Sequence, residues 1–293
     1  MSVRETVLLV GASGRVGQMV AGLWARRFDP AMHVVFQGRQ AGDPTDISHL
    51  HWDPMAGPEA LCEWIQQYGA IKTMIVLAGV TPGEGNDLSL NTTIAQACLN
   101  AATHAQIPRV LLASSSAVYG LGDGQAFSED APCVPVNDYG RAKLEMERAC
   151  DSWRSDKLEI CCLRIGNVAG ADALLLNIAR SDPDAAVTID IFEDGHGPRR
   201  SYIGPESLAR VLERLALYPE TLPVSLNIAV PQAVSMDALA DVLGHPWVSR
   251  KGADERLQNI LLDCRQLCAL HSFAPSENMP DDMITQWKTT LNT

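Results

Sequence analysis

Short, mostly apolar runs recur through the first half of the chain: Val7-Leu8-Leu9-Val10, then within residues 33–36, 73–77, 109–113 and 158–164. Runs this short, with little polar alternation, are what a strand buried on both faces requires, as in a parallel sheet. Between them lie stretches whose apolar positions recur at helical spacing, over residues 15–27, 60–68, 89–105 and 138–153. A weaker apolar step at His51-Trp52 predicts one more short strand. The alternation predicts an α/β fold, a doubly wound parallel sheet with helices on both faces. Ligands of such sheets bind beyond the carboxyl ends of the strands. After Arg164 the alternation ceases, and Pro183, Pro198, Pro205, Pro223 and Pro231 punctuate shorter elements. The expected organisation is a larger unit over residues 1–165 and a smaller C-terminal lobe over 166–293, with a strand near 224–230 returning to the main sheet. No internal repeat or low-complexity tract interrupts it.

Size and charge narrow the reading. The chain has 293 residues, 46% of them hydrophobic, enough for a substantial core. No apolar run approaches the ~20 residues needed to span a bilayer. The start, Met1-Ser2-Val3-Arg4-Glu5, reaches the first strand without a signal-peptide hydrophobic region, so a cytoplasmic location away from membranes is expected. A net charge of −12 argues against nucleic acid as a partner. It is compatible with a small anion held in a local basic pocket, which Arg199-Arg200 could build. The eight cysteines form no Cys-x-x-Cys pair and no metal-finger spacing, and free, mostly buried thiols are expected. Cys161 and Cys162 adjoin in a predicted strand and should point to opposite faces. His49 and His51 lack further spaced ligands, so no metal site is expected.

Three motifs carry chemistry. Gly11-Ala12-Ser13-Gly14-Arg15-Val16-Gly17 follows the first strand directly and opens a helix. Glycine permits the tight turn and a close backbone approach to a pyrophosphate, and the helix N-terminus offers free amide donors. Strand, loop and helix in this order point to a dinucleotide, hence a Rossmann unit. The second strand ends Phe36-Gln37-Gly38-Arg39, with no acid for a ribose 2′-hydroxyl; Arg39 suits a 2′-phosphate, which favours NADP over NAD. Asp53 stands where it can contact the adenine or cap a turn. The serine run Ser114-Ser115-Ser116 ends the fifth strand, and Tyr139 and Lys143 lie one turn apart on one helix face. An ammonium beside a phenol favours the phenolate, and a serine hydroxyl can hold the substrate oxygen. The trio suits hydride transfer at a carbinol carbon.

Taken together, the chain resembles the extended short-chain dehydrogenase/reductase family, in its sugar-nucleotide epimerase-like NAD-dependent epimerase/dehydratase branch. The resemblance rests on the Gly11–Gly17 loop, Leu77-Ala78-Gly79, Asn91, Ser114 to Gly120, Tyr139-x-x-x-Lys143, Leu163 to Val168 and Arg200-Ser201-Tyr202-Ile203. It implies Ser115 as the substrate-polarising hydroxyl, Tyr139 as general acid/base, and Lys143 as the ribose contact that lowers the tyrosine pKa. It implies a cofactor lined by Gly11, Ser13, Gly14, Arg15, Val16, Gly17, Arg39, Asp53, Leu77, Ala78, Gly79, Asn91, Tyr139, Lys143 and Ile165. Ser116, Asn167 and Arg200 would meet the substrate, Arg200 at a diphosphate. Ala169-Gly170-Ala171, Ser201 and Ser207 depart from the family pattern, all in the substrate half. Ser116 and Ala117 stand where the sugar 4,6-dehydratase branch carries an Asp-Glu pair, which disfavours water elimination. The readings are an epimerase acting on a nucleotide sugar, a net NADP(H)-dependent reductase of a small carbonyl compound, and a non-catalytic dinucleotide sensor. A homodimer is expected through the helices at 89–105 and around Tyr139, with Ala95, Ala97, Ala101 and Ala102 allowing close approach.

Overall fold

The computed structural model describes residues 4–26, 32–40 and 46–291; the expected helix end at Arg27 and the first three residues lie outside them. The first half runs β1 (Glu5–Val10), α1 (Arg15–Arg26), β2 (Met32–Gly38), β3 (His49–His51), α2 (Glu59–Tyr68), β4 (Thr73–Val76), α3 (Leu90–His104), β5 (Arg109–Ser115), β6 (Ala126–Phe127), α4 (Asp138–Cys150) and β7 (Glu159–Ile165). The second half runs β8 (Asn167–Val168), α5 (Ala173–Arg180), β9 (Val187–Ile191), β10 (Arg199–Ile203), α6 (Pro205–Ala216), β11 (Ser225–Ile228), β12 (Ala233–Ser235), α7 (Met236–Leu243), β13 (Trp247–Lys251), β14 (Asn259–Leu262), α8 (Arg265–Leu270) and α9 (Pro280–Leu291).

Seven strands form one sheet in the order β11-β7-β5-β4-β1-β2-β3. Every neighbouring pair in it is parallel. The order reverses between β1 and β4, which makes their carboxyl ends the crevice of the sheet. Side chains of β1 explain its unbroken apolar run. Val7 and Leu9 enter one core, with α1, α6 and α9, while Leu8 and Val10 enter the other, with α2 and α3. Cys161 and Cys162 divide between the same two cores, as strand alternation requires. β11 returns to the sheet edge beside β7, with Leu226 opposite Leu163.

Three boundaries differ from the sequence pattern for local reasons. β4 ends at Val76 because the Leu77 and Ala78 N–H groups both donate to the Val10 carbonyl, drawing the chain toward the glycine loop. α4 ends at Cys150, and Asp151–Trp153 tightens into a 3₁₀ turn, a usual way to satisfy the last helical carbonyls. β3 begins earlier, at His49, because His49 pairs with Phe36 of β2. Three of the four alanines expected at a dimer face lie elsewhere: Ala95, Ala101 and Ala102 are 2%, 1% and 0% exposed inside the protomer's own core, while Ala97 is half-buried. No described helix is long and apolar enough to cross a membrane.

Candidate active site

At the carboxyl ends of β1, β4, β5 and β7 lies a cavity of about 670 Å³. Its floor begins with the glycine loop. Gly11 has φ +89, and a Cβ there would run into the Ala78 backbone; a Cβ on Gly17 would run into the Gly11 carbonyl. These two glycines let β1, the loop and α1 close on one another, whereas a Cβ at Gly14 meets only the Gly11 carbonyl, at 3.3 Å. Gln37 completes the loop's support. Buried at the end of β2, it accepts the Gly11 N–H through Oε1 (3.1 Å) and donates Nε2 to the Trp52 carbonyl (2.6 Å).

The opposite side is built by α4 against β5. Asn137 caps α4 by accepting the Gly140 N–H at 2.8 Å, which fixes where the helix starts relative to Tyr139. Gly140 then packs so closely on the Ala117 carbonyl that no Cβ fits. That approach sets Tyr139 beside Ser115. Burial pushes the Tyr139 phenol above its ordinary value, and the nearby Ser115 hydroxyl pulls it partly back. Lys143 is only 4% exposed. Its Nζ donates to the Ala113 carbonyl at 2.9 Å and stands 5.9 Å from the Tyr139 ring centre. Burial lowers the Lys143 pKa to about 8. The expected lowering of the phenol by Lys143 is therefore not what governs this arrangement: burial dominates and acts in the other direction.

The cavity gathers most of the residues singled out in the sequence: Gly14, Arg15, Val16, Gly17, Leu77, Gly79, Ser115, Tyr139, Lys143, Ile165 and Asn167 all line it. Gly11 and Ala78 pack against each other; like the exposed Ser13, they are absent from the lining. Others are engaged differently. Asn91 is 2% exposed and uses its amide on the Val80 N–H and the Val80 and Leu88 carbonyls, so it clamps the loop after β4. Asp53 accepts the Met55 N–H at 3.0 Å and caps a 3₁₀ turn. Ser116 opens another 3₁₀ turn and does not line the cavity. Arg39 is exposed just beyond β2, with no side-chain partner among the described residues. Arg200 is absent from the cavity wall: its Nη1 donates to the Arg199 and Gln258 carbonyls and its Nη2 to the Leu257 carbonyl, at 2.8–2.9 Å.

Of the departures from the family pattern, Ala171 lines the cavity, whereas Ser201 and Ser207 are internal. Ser201 accepts the Leu262 N–H, and Ser207, fully buried, donates to Glu277. His49 and His51 lie within hydrogen-bond distance of the Gln40 and Arg39 carbonyls. Sequence reasoning missed Thr81, Asp172, Asn177 and Arg180, all on the cavity wall. The spacing of Asn177 and Arg180, one turn apart opposite the apolar Leu174, Leu175 and Ile178, was the available signal.

Residues 7–216 match the model described as the NAD dependent epimerase/dehydratase family. The chain belongs to that family, whose members are enzymes of the extended short-chain dehydrogenase/reductase type. A UDP-glucose 4-epimerase of Azospirillum brasilense is 30% identical over 179 residues, covering 57% of this chain and 50% of that protein. One from Lactobacillus helveticus is 25% identical over 229 residues, 68% of each. The chain thus spans between half and about two thirds of these curated relatives. Among solved structures, MoeE5 in complex with UDP-glucuronic acid and NAD superposes with a TM-score of 0.75 at 24% identity, covering 98% of this chain and 99% of that one. UDP-glucuronic acid 4-epimerase from Bacillus cereus, in complex with UDP-glucuronic acid and NAD, gives 0.74 at 20% identity with the same coverage. Below 25% identity, these likenesses establish the shared fold.

Proposed function

We propose that the protein transfers hydride to and from a carbinol carbon of a nucleotide sugar, as an epimerase, with a nicotinamide dinucleotide held on the Gly11–Gly17 loop. The observation that carries this reading is the convergence of Ser115, Tyr139 and Lys143 on one cavity whose floor is that loop. Ser115 holds the substrate oxygen while the Tyr139 phenol moves its proton. The buried Lys143 ammonium binds the nicotinamide ribose, within reach of Ala113 and Gly79. When bound, the oxidised nicotinamide supplies the hydride acceptor and a positive charge beside the phenol, which opposes the upward pull of burial. The loop fits such a group: Gly11 and Gly17 admit the close backbone approach, and α1 presents its N-terminus. Ser116 and Ala117 bring no carboxyl group to the site, so water elimination lacks its acid and base.

A second reading, a net NADP(H)-dependent reductase, is favoured by one observation: β2 ends without a carboxylate, and Arg39 beside it has no side-chain partner among the described residues. Nuclear magnetic resonance of UDP-glucose incubated with the enzyme separates the two. Interconversion with UDP-galactose and no net consumption of reduced dinucleotide is expected of the epimerase; stoichiometric consumption would select the reductase. In either case Tyr139→Phe is expected to slow turnover ~10²–10⁴-fold, the scale of a general acid/base. Dinucleotide affinity should stay within twofold. A variant keeping more than half the wild-type rate would remove Tyr139 from the chemistry.

A further inference from the structure

The wall facing the Ser115–Tyr139–Lys143 group is α5, whose polar face presents Asn177 and Arg180 to the cavity. A second hollow of about 490 Å³ lies beyond it, against the start of β9 at Val187 and Thr188. Asn177 and Arg180 line both hollows. Arg180 therefore stands at the junction of one continuous groove that starts at the reacting trio and passes the end of α5.

Its guanidinium is unclaimed. Among the described residues Arg180 has no ion pair and no side-chain hydrogen bond. Other arginines of this acidic chain are engaged: Arg164 with Glu147, Arg109 with Glu159, Arg210 with Glu206 and Glu277. The charged side chains on the wall of the first hollow are Arg15, Lys143, Arg180 and a single carboxylate, Asp172. Asp172 already accepts the Leu174 and Leu175 N–H groups and the Tyr202 hydroxyl. The groove is thus locally basic inside a protein of net charge −12, the arrangement that concentrates an anion.

We propose that Arg180, assisted by Asn177 one turn before it, grips the diphosphate of the substrate, and that Arg200 does not. The inference rests on the nucleotide-sugar reading above. Arg200 is held by three backbone carbonyls, and rotating it onto a phosphate would break all three bonds. Arg180 has no such bonds to break. A planar guanidinium with free N–H groups can take two phosphate oxygens at once. Its position between the hollows sets the diphosphate at the middle of the ligand, with the sugar toward Tyr139 and the nucleoside beyond α5.

Calorimetric titration of UDP into the dinucleotide-loaded enzyme tests this. Arg180→Ala is expected to weaken UDP binding about 10- to 100-fold, the scale of a lost charge-assisted pair. Arg180→Lys should recover part of the loss, since it restores the charge without the planar fork. Dinucleotide affinity should remain within twofold, which also reports an intact fold. In turnover assays the loss should appear in KM for the nucleotide sugar far more than in kcat. Unchanged UDP affinity in Arg180→Ala, with a loss in Arg200→Ala instead, would overturn the assignment and leave the nucleotide-sugar reading standing. A wild-type enzyme that binds dinucleotide but no UDP would overturn that reading itself.

Discussion

Lys143 is the residue whose chemistry the fold alters most. Packed under β5, it is 4% exposed, and burial brings its pKa down to about 8. An amine with a lowered pKa is charged below that value and neutral above it. If the ammonium holds the ribose, dinucleotide affinity should be flat below pH 8 and fall as pH rises past it, by at most about tenfold per pH unit for one proton. Lys143→Met should bind weakly and without that pH dependence. Fluorescence titration from neutral to alkaline pH checks both; a flat wild-type profile would remove Lys143 from the cofactor site. Arg39 bears on which dinucleotide is bound. Gln37, near the end of β2, is committed to Gly11 and Trp52, and β2 itself carries no carboxylate for a ribose 2′-hydroxyl. Arg39→Ala is expected to weaken NADP by about 1.5–3 kcal/mol and to leave NAD nearly unchanged, as for a hydrogen bond to a charged group. Equal weakening of both in calorimetry, or a wild type that prefers NAD, would show that Arg39 does not select.

Three elements that carry the site are tied together by one buried ion pair. Glu147, one turn after Lys143 on α4, faces Arg164 of β7 at 2.9 Å, and each is 8% exposed. Ser114, the neighbour of Ser115 on β5, donates to the same carboxylate. Arg164 also donates to the Tyr119 hydroxyl and the Glu129 carbonyl, and Tyr119 donates to Asn227 of β11. Deleting one partner of such a pair strands the other charge in a medium that solvates it poorly. Glu147→Ala should therefore cost about 3–5 kcal/mol in urea unfolding, and adding Arg164→Met should recover much of it. A cost below about 1 kcal/mol would mean that water reaches Arg164, as at exposed pairs. The network explains why α4 holds its angle to β5: the helix is anchored above the site by Gly140 on Ala117 and below it by Glu147.

At the scale of the molecule, the larger core does not respect a division into two lobes. It runs without interruption from Val7 and Leu9 of β1 through Leu175 of α5 and Leu212 of α6 to Met283 and Trp287 of α9. Trp287 lies on Gly170, where a Cβ would collide with the indole, so α9 closes directly over the turn before α5. Elements that share a core lose their stability together. Urea unfolding followed by tryptophan fluorescence and by far-ultraviolet circular dichroism should give one coincident transition. An early separate transition would show that the residues after 165 unfold by themselves.

The order of strands and helices, the glycine loop and the Ser115, Tyr139 and Lys143 set were all legible in the chain itself. Each is a local pattern: an unbroken apolar run, a glycine spacing, two side chains one helical turn apart. Local patterns survive folding because the backbone period alone determines which positions share a face. Tertiary structure decided everything that depends on partners distant in sequence. Arg200 and Arg180 are indistinguishable as letters. One is occupied by carbonyls of Leu257 and Gln258, about a fifth of the chain away, and the other is left facing a groove. Asn91 and Gln37 likewise became supports for the loops around the cavity, because backbone groups of Val80 and Gly11 came within reach. Ala95, Ala101 and Ala102 of α3 turned inward because the face they share was needed by the protomer's own core. Whether a polar side chain is free to meet a ligand depends on which groups the fold brings beside it, and that is settled by packing between segments rather than by spacing within one.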